Sequence, residues 1–551
     1  FGGRPVIVEL KRGKPYQPNI HGISPSHYIQ TVLYDFLVRS AYGGATNVGC
    51  YILYSSQEER PLRFAPAIKA QQYEALQLRN QLLAIEYLLE QLGITEEDLL
   101  IQTRRLFSKL NADKYPHLKG FAARDLQAFS QVFYRLTGVE QAYFGAFAGF
   151  VAREHRLAKT GVQGMERMNG LASLWLDHPE EKEQNYQRLA QLKLAVNNTK
   201  EEEPILILLR GEQTNTLANF RVGDIAVLFP YSEDGKGVLD HQVFKCTILS
   251  LDQEQVTVRL RSKQFNDRLF YEEEYWTLEH DLLDSSINAY YRGLFEWAQS
   301  PPDRRHLLLG ARAPHKEEPT KREWPSLLTD EQAELLDRML AAPEYFLLWG
   351  PPGTGKTSVM LHYLVKHLLE NTDENILLLA YTNRAVDEIC ESIEAIGDHL
   401  KGQYLRIGSN YGTHPRFQGQ LLQSAIKDIH NRKELRELID QRRIFVGTVA
   451  SLANKTDLFQ LKKFQRVIID EASQILEPLL MGLLGRFPQW ILIGDHRQLP
   501  AVVTQTKELT RVRDQNLQEA GITDLSQSLF ERLYLKCQAE DWTWAYGQLT
   551  H

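Results

Sequence analysis

The sequence predicts a multidomain α/β protein with a parallel sheet, a small β-barrel and a helical region. Five short, almost wholly apolar runs follow residue 326 and alternate with helical stretches. This is the pattern of strands that are buried on both faces of a parallel sheet. Four short apolar runs at even spacing between residues 204 and 278 predict a barrel. At about 150 residues per domain, the 551 residues leave room for three to four domains.

The predicted strands and helices follow from these periodicities. In the N-terminal part, strands are expected at 6–8 and 49–54, with a helix at about 26–40 between them. The barrel strands are expected at 205–209, 225–229, 243–249 and 256–260. The strands of the parallel sheet are expected at 345–349, 376–380, 444–446, 467–469 and 490–493.

Changes in the pattern also divide the chain into segments. The predicted segments are an α/β part at 1–63, a helical region at 64–203, the barrel at 204–283, a stalk helix and linker at 284–325, a sheet-containing lobe at 326–540, and the start of a second lobe at 541–551. Helical stripes of apolar residues are the ordinary sign of core packing. We therefore assign no function to the helical region from its sequence.

Composition and charge exclude several classes of protein. Lys and Arg number 63 against 70 Asp and Glu, so the net charge of −7 excludes a generally basic nucleic-acid coat, although it allows a local basic groove. The four cysteines are isolated, which argues against a zinc ribbon and indicates a reducing compartment. No apolar run reaches about 18 residues, so we expect no membrane span. The expected location is the cytoplasm of a prokaryote or the nucleus of a eukaryote.

Residues 350–357, Gly-Pro-Pro-Gly-Thr-Gly-Lys-Thr, match the pattern G-x-x-x-x-G-K-[ST] between a predicted strand and a predicted helix. Glycines let the backbone curl so that its N–H groups and the helix N-terminus face phosphates. We expect Lys356 to neutralise the β- and γ-phosphates of ATP and Thr357 to bind Mg²⁺. The nucleotide-binding residues predicted in this loop are Gly350, Pro351, Pro352, Gly353, Thr354, Gly355, Lys356, Thr357 and Ser358.

Polar residues elsewhere complete the predicted ATP site. The strand at 467–469 is followed by Asp470 and Glu471. We expect Asp470 to hold the magnesium shell and Glu471 to orient and deprotonate the attacking water. Gln498 follows the next strand, where it can reach a γ-phosphate, and Gln332 is placed upstream of the loop to read the adenine edge. Loops at the carboxyl ends of parallel strands are where such sheets bind ligands.

The segments 470–474, Asp-Glu-Ala-Ser-Gln, and 494–500, Gly-Asp-His-Arg-Gln-Leu-Pro, resemble motifs II and III of superfamily 1 helicases. The variant is similar to that of the 1B branch, which includes the nonsense-mediated-decay helicase, senataxin and the DNA replication ATP-dependent helicase/nuclease. Three further segments resemble the stalk of these enzymes and the part after motif III: 280–286, 291–295 and 525–533. The resemblance covers about 204–551 and implies a RecA-like lobe preceded by an inserted barrel.

This resemblance also implies partners and a direction of movement. Thr382, Asn383 and Thr448 would touch the backbone of a single strand, and relatives in the 1B branch translocate 5′→3′. Three barrel residues either line the same path or form a solvated strand face: Arg259, Arg261 and Lys263. Hydrolysis in superfamily 1 needs a second RecA-like lobe, which we expect beyond residue 551. The chain is therefore expected to bind ATP and to hydrolyse it poorly.

A second pattern lies near the N-terminus. Glu9 and Lys11 share one face of a predicted strand, and Gln30 and Tyr34 share one face of the following helix. This series resembles the RecB-like branch of PD-(D/E)xK nucleases, which implies a partial nuclease core at 1–63. Glu9 would bind Mg²⁺ or Mn²⁺, Lys11 would be catalytic, and Gln30 with Tyr34 would support the site. The second carboxylate of that family has no counterpart in residues 1–8, so either it lies upstream of Phe1 or the nuclease is inactive. Only Cys50 is near, so no iron–sulfur cluster is expected.

The order nuclease, barrel and ATPase lobe resembles that of the DNA replication ATP-dependent helicase/nuclease family. Together the motifs predict an ATP-driven, single-strand-tracking DNA helicase coupled to a metal-dependent nuclease that processes DNA ends or flaps. The expected partner is single-stranded or forked DNA, with RNA as an alternative. The pathway stays open among repair, replication and defence, and the motifs name no protein partner. Two other functions also stay open: an RNA or RNA–DNA helicase with a vestigial nuclease, and an ATP-switched nucleic-acid-binding scaffold. Metal-dependent cleavage of single-stranded DNA and strand-stimulated ATPase activity distinguish the three.

Overall fold

The computed structural model describes residues 6–12, 22–41, 48–161, 171–215, 217–233, 237–281, 285–453, 455 and 457–550. The chain divides into two compact units, Phe1–Leu89 and Glu90–His551. Each unit has hydrophobic clusters of its own. Among these described residues, no helix is both long enough and apolar enough to span a bilayer.

The N-terminal unit contains a small mixed sheet. Strand β1 (Val6–Lys11) pairs in parallel with β2 (Gly49–Tyr54), and β3 (Leu62–Phe64) pairs with β2 in the antiparallel direction. The helix Pro25–Ala41 makes the crossover that a parallel pair requires. The helix Lys69–Glu90 follows the sheet.

The helices between residue 90 and the barrel are Leu99–Phe107, Phe121–Phe133, Gly138–Thr160, Ser173–Leu176 and Pro179–Gln184. The helix Gly138–Thr160 begins with a capping box, in which the Thr137 hydroxyl accepts from the Glu140 backbone N–H and the Glu140 carboxylate accepts from the Thr137 N–H. Most of its side chains are buried, as expected for a helix packed on several sides.

A closed six-stranded barrel follows. Its strands are β4 (Arg188–Asn198), β5 (Ile205–Leu209), β6 (Ile225–Pro230), β7 (Phe244–Leu251), β8 (Gln255–Leu260) and β9 (Trp276–His280), in the order β4-β5-β8-β7-β6-β9. The barrel therefore starts at Arg188, and the expected start at 204 was wrong, since β4 closes the barrel by pairing with both β5 and β9. The predicted boundary between barrel and stalk, at 283–284, lies outside the described residues.

The C-terminal part of the second unit contains a seven-stranded parallel sheet. Its strands are β10 (Tyr345–Trp349), β11 (Ile376–Ala380), β12 (Tyr404–Ile407), β13 (Ile444–Thr448), β14 (Arg466–Asp470), β15 (Gln489–Gly494) and β16 (Tyr546–Gln548). The strand order is β12-β13-β11-β14-β15-β10-β16. Residues 541–551 were expected to begin a second lobe. Strand β16, at 546–548, instead pairs with β10 and belongs to this same sheet.

The α-helices of this part precede the sheet or connect its strands: Ser285–Gln299, Pro302–Leu309, Asp330–Ala341, His362–Asn371, Asn383–Glu394, Leu422–Ala425, Arg432–Gln441, Val449–Ala453, Leu458–Leu461, Glu477–Leu484, Lys507–Thr510, Gln515–Glu519 and Leu529–Ala539. A π-helical turn, Lys356–Leu361, precedes His362–Asn371. The apolar strands β10, β11 and β13 are buried along their whole length, as predicted for a sheet covered on both faces.

Buried charged side chains join the helix Gly138–Thr160 to helices of the C-terminal part of the same unit. The side chains of Arg532 and Glu477 are 1% and 2% exposed and form a bidentate ion pair, with both N···O distances at 2.8 Å. The Tyr143 hydroxyl donates a hydrogen bond to the same carboxylate. Arg305 pairs with Glu140 at 2.7 Å. Because an unpaired buried charge is strongly destabilising, these contacts hold the helix Gly138–Thr160 in one position.

Two glycines let the helices Ser285–Gln299 and Glu477–Leu484 approach closely. A Cβ added to Gly293 would lie 2.2 Å from the carbonyl oxygen of Pro478, and one added to Gly482 would lie 2.5 Å from the carbonyl oxygen of Gly293. A side chain at either position would force the two backbones apart.

We predict that Gly293→Ala lowers the free energy of unfolding by about 2–3 kcal/mol, because the added methyl group overpacks the helix contact. Urea denaturation followed by circular dichroism measures the change. Gly211→Ala is the matched control, since nothing lies within 4 Å of a Cβ at that position. Equal urea midpoints for the Gly293 variant and the parent chain would contradict the close helix contact.

Candidate nucleotide-binding site

The loop after β10 has the backbone shape that a phosphate cradle requires. Gly353 and Gly355 have φ angles of +82° and +76°, a region that favours glycine. A Cβ added to Gly355 would also lie 2.8 Å from Val359. Thr354 closes the loop by donating its hydroxyl to the carbonyl oxygen of Pro351 at 2.8 Å.

Lys356 lies inside the curve of this loop. Its ammonium donates to the carbonyl oxygens of Gly350 and Pro351, the second at 2.8 Å. Burial lowers the pKa of Lys356, while the charges of Asp470 and Asp495 act in the opposite direction. A phosphate oxygen forms a stronger, charge-assisted hydrogen bond than a carbonyl does, so the ammonium is placed to exchange these partners for a nucleotide.

Thr357 and Asp470 form a pair of oxygen donors beside the loop. The Thr357 hydroxyl donates to the Asp470 carboxylate at 2.5 Å, although the two residues are far apart in the sequence. Burial raises the pKa of Asp470, and the hydrogen bonds from Thr357 and from the Glu471 backbone act against this rise. A hydroxyl and a carboxylate are ligands that suit Mg²⁺, so these residues fit the predicted metal.

Glu471 has an unusual backbone conformation directly after β14. Its φ of +54° lies in the left-handed region, which is uncommon for a residue with a side chain and is found often at functional sites. Its carboxylate accepts a hydrogen bond from the Thr382 hydroxyl at 3.0 Å. Burial raises the pKa of Glu471, and the neighbouring Asp470 charge adds to the rise while Thr382 opposes it. A carboxylate with a raised pKa accepts a proton more readily, as a general base must.

Gln498 is tied to the end of β15 through Asp495. The Gln498 amide donates to one Asp495 oxygen at 2.6 Å, and the indole N–H of Trp349 donates to the other at 3.0 Å. Because Trp349 directly precedes Gly350, Asp495 connects the predicted γ-phosphate residue to the phosphate loop. Asp495 and Trp349 both lie in segments that the sequence singles out. Their contact, however, follows only from the pairing of β10 with β15 in the structure.

Gln332 also lies beside the loop. Its side-chain oxygen accepts from the Thr329 N–H at 3.1 Å in a second capping box, at the start of the helix Asp330–Ala341. Its amide nitrogen would lie 3.9 Å from a Cβ on Gly355. The structure therefore places Gln332 next to the phosphate loop. The contact with adenine stays a prediction.

The predicted strand-contacting residues differ in their surroundings. Thr382 caps the helix Asn383–Glu394 by accepting from the Ala385 N–H at 3.1 Å, and it is the same hydroxyl that donates to Glu471. Asn383 is exposed. Thr448 is buried and its hydroxyl bonds to Ser451 within the next turn. Their roles in binding a strand stay predictions.

Two of the barrel arginines already have partners. The Arg259 guanidinium lies over the ring of Tyr411, 4.4 Å from its centroid, so the barrel contacts the loop that follows β12. Arg261 lies 3.6 Å from the Asp281 carboxylate. Lys263 is exposed.

The four predicted nuclease residues form one hydrogen-bonded chain in the N-terminal unit. The Lys11 ammonium lies 2.8 Å from the Glu9 carboxylate and donates to the Gln30 side-chain oxygen at 2.6 Å, and the Gln30 amide donates to the Tyr34 hydroxyl at 2.8 Å. Within the described ranges, no group of three or more His, Cys, Asp or Glu side chains is placed to hold a metal. Burial raises the pKa of the Cys50 thiol to about 11.

Residues 332–504 match the family model of the AAA domain. The predicted ATP-site residues, from Gln332 to Gln498, all lie inside this match. The strand order, the phosphate loop and the match together define this part of the chain as an ATP-binding domain of the P-loop class.

The curated relatives are more specific. The chain is 31% identical over 206 residues to the DNA replication ATP-dependent helicase/nuclease JHS1 of Arabidopsis thaliana, which is 37% of this chain and 14% of that protein. It is 31% identical over 209 residues to the DNA replication ATP-dependent helicase/nuclease DNA2 of Mus musculus, which is 37% of this chain and 18% of that protein. The predicted resemblance to this family is confirmed for the helicase region, and the match spans less than a fifth of these relatives.

Solved helicase structures are more distant. The UvsW helicase from Bacteriophage T4 aligns with 41% of this chain and 67% of that chain, at 16% identity and a TM-score of 0.23. The Pif1 helicase from Candida albicans aligns with 32% of this chain and 34% of that chain, at 21% identity and a TM-score of 0.18. The fold assignment therefore comes from the strand order of this chain and not from these neighbours.

We predict that Lys356→Ala weakens ATP binding by about 100-fold, because the variant removes the charge that meets the phosphates. Titration with a fluorescent ATP analogue in the presence of Mg²⁺ measures the affinity. Lys366→Ala, on the helix His362–Asn371, is the control and should bind like the parent. An unchanged affinity in the Lys356 variant would place the nucleotide elsewhere.

Proposed function

We propose that this chain is the ATP-binding part of a single-strand-tracking DNA helicase that is coupled to a metal-dependent nuclease and acts on DNA ends or flaps. The ATPase lobe would be RecA-like, with ATP and Mg²⁺ held between the phosphate loop and Asp470. The names of the relatives, DNA replication helicase/nucleases, support DNA as the substrate. Movement in the 5′→3′ direction is part of the same proposal.

The observation that carries the proposal is the position of Thr382. Its hydroxyl bonds to the Glu471 carboxylate, and its neighbour Asn383 begins an exposed helix end. A nucleic-acid strand bound at this loop would therefore shift Thr382, whose hydroxyl contacts Glu471, the proposed general base. This contact gives a physical route from nucleic-acid binding to ATP hydrolysis.

The N-terminal unit supports the nuclease part of the proposal only through geometry. Contacts link Glu9 to Lys11, Lys11 to Gln30 and Gln30 to Tyr34, which fits the nuclease resemblance. One observation favours the second candidate function, an RNA or RNA–DNA helicase with a vestigial nuclease. Among the described residues before Asp35, Glu9 is the only acidic one, and its carboxylate is already paired with the Lys11 ammonium at 2.8 Å. The next one, Asp35, is bound by Arg39 and Gln72.

We predict that Glu471→Gln lowers ATP hydrolysis by about 100-fold or more while ATP binding is kept, because the amide cannot accept a proton from water. Release of labelled phosphate, with and without single-stranded DNA, measures slow as well as fast turnover. Glu508→Gln is the control, since Glu508 is exposed. Full hydrolysis by the Glu471 variant would remove this residue from the role of general base.

We predict that the full-length protein cleaves labelled single-stranded DNA in the presence of Mg²⁺ or Mn²⁺, and that Glu9→Ala and Lys11→Ala each abolish cleavage. The first variant removes the metal ligand and the second removes the charge that stabilises the transition state. Glu58→Ala is the control, since Glu58 is exposed in the same unit. Cleavage that survives both changes would refute the site, and a full-length protein without cleavage would favour the vestigial nuclease.

A further inference from the structure

The segment that follows Gln498 is held by a helix from outside the parallel sheet. Glu154, on the helix Gly138–Thr160, accepts hydrogen bonds from the Thr504 N–H at 2.9 Å and from its hydroxyl at 2.7 Å. It also accepts from the Gln505 N–H at 3.0 Å and from its side-chain amide at 2.8 Å. One carboxylate thus binds four donors, and hydrogen bonds to a charged acceptor are among the stronger ones in proteins.

Arg153 binds the same segment from the next position on the helix. Its guanidinium donates to the Gln505 side-chain oxygen at 2.6 Å and to the carbonyl oxygens of Glu90 and Leu92 at 2.6 and 3.1 Å. Burial lowers the pKa of Arg153 to about 10, so the group is still charged at neutral pH. The Gln505 side chain is buried and bonded at both its oxygen and its nitrogen.

The other end of the segment is fixed at the sheet. Asp495 is held by Trp349, and its backbone N–H donates to the Ser473 hydroxyl at 3.3 Å. Between the two fixed ends, Leu499 and Val502 are 72% and 80% exposed, whereas Ala501 is buried. Exposed side chains make few of the contacts that hold a loop in place. The loop is therefore held by its ends, at Asp495 and at Glu154, together with the small side chain of Ala501.

We propose that Glu154 and Arg153 are positioning residues for Gln498, so that a helix outside the AAA domain match prepares the site to distinguish a nucleoside triphosphate from a diphosphate. This inference rests on the proposed function of Gln498 as the group that meets the γ-phosphate. A loop that is already ordered loses less conformational freedom when the ligand binds. Releasing the Glu154 end would therefore weaken triphosphate binding and leave diphosphate binding unchanged, because a diphosphate has no γ-phosphate to contact.

The test compares the affinities of the whole chain for ADP and for a non-hydrolysable ATP analogue, in Mg²⁺, by titration calorimetry. We expect Glu154→Ala to lower the preference for the triphosphate by about tenfold, at unchanged ADP affinity. Glu154→Gln should lower it less, because the amide keeps one oxygen acceptor. Arg156→Ala is the matched control on the same helix, since Arg156 pairs with the Glu90 carboxylate and not with the loop. Unchanged ADP binding also shows that each variant is folded.

A double variant separates positioning from general stabilisation. If Glu154 acts through Gln498, then Glu154→Ala adds nothing to the loss caused by Gln498→Ala. The inference would be overturned if the two substitutions reduced the preference for the triphosphate additively. It would also be overturned if Glu154→Ala kept the parental preference for the triphosphate. A Gln498→Ala variant with the parental preference would overturn the proposed role of Gln498 and the inference with it. A parent chain that binds neither nucleotide would overturn the proposed function as a whole.

Discussion

Parallel pairing of neighbouring strands is the constraint on which the ATP site depends. In the register of the sheet, Trp349 lies opposite Gly494, and Ala380 lies opposite both Asp470 and Thr448. The carboxyl ends of five strands are therefore level to within about a residue, and the loops that leave them start side by side. Groups that are far apart in sequence therefore meet at this edge of the sheet. The phosphate loop leaves β10 here, and the turn that follows it brings Thr357 to Asp470 at the end of β14.

Buried charges then fix what surrounds this sheet. Arg532 donates to both Glu477 oxygens and to the carbonyl oxygens of Leu308 and Leu309, so every arm of the guanidinium has a partner. Tyr143 reaches the same carboxylate from the helix Gly138–Thr160. Removing one partner would leave an uncompensated charge in the interior, which costs about 3–5 kcal/mol. The helix Gly138–Thr160 is therefore fixed within the ATP-binding unit, and this fixed position is what allows Glu154 to hold a loop of the site.

The sequence predicts those parts of the fold and site that depend on local patterns. The five predicted strands of the parallel sheet are all present, because their residues are apolar throughout. Strand β12 (Tyr404–Ile407) was missed because Arg406 interrupts the apolar pattern; its charge is compensated by Asp387, on another element. The same reason applies to the site: Thr357 lies in a contiguous motif, whereas the role inferred for Glu154 depends on a partner about 350 positions away, which no local spacing can indicate.

Charge balance separates the two sites that the sequence predicts. At the ATP site, the Thr357 hydroxyl and the Asp470 carboxylate offer oxygen donors to a metal that would also bind phosphates. In the N-terminal unit, Glu9 is already paired with Lys11, so a divalent metal bound there would place three positive charges around one carboxylate. Nuclease chemistry at Glu9 thus requires another acidic group beside it. Nucleotide binding uses no residue of the N-terminal unit. The ATP-binding proposal can therefore be tested independently of the nuclease proposal.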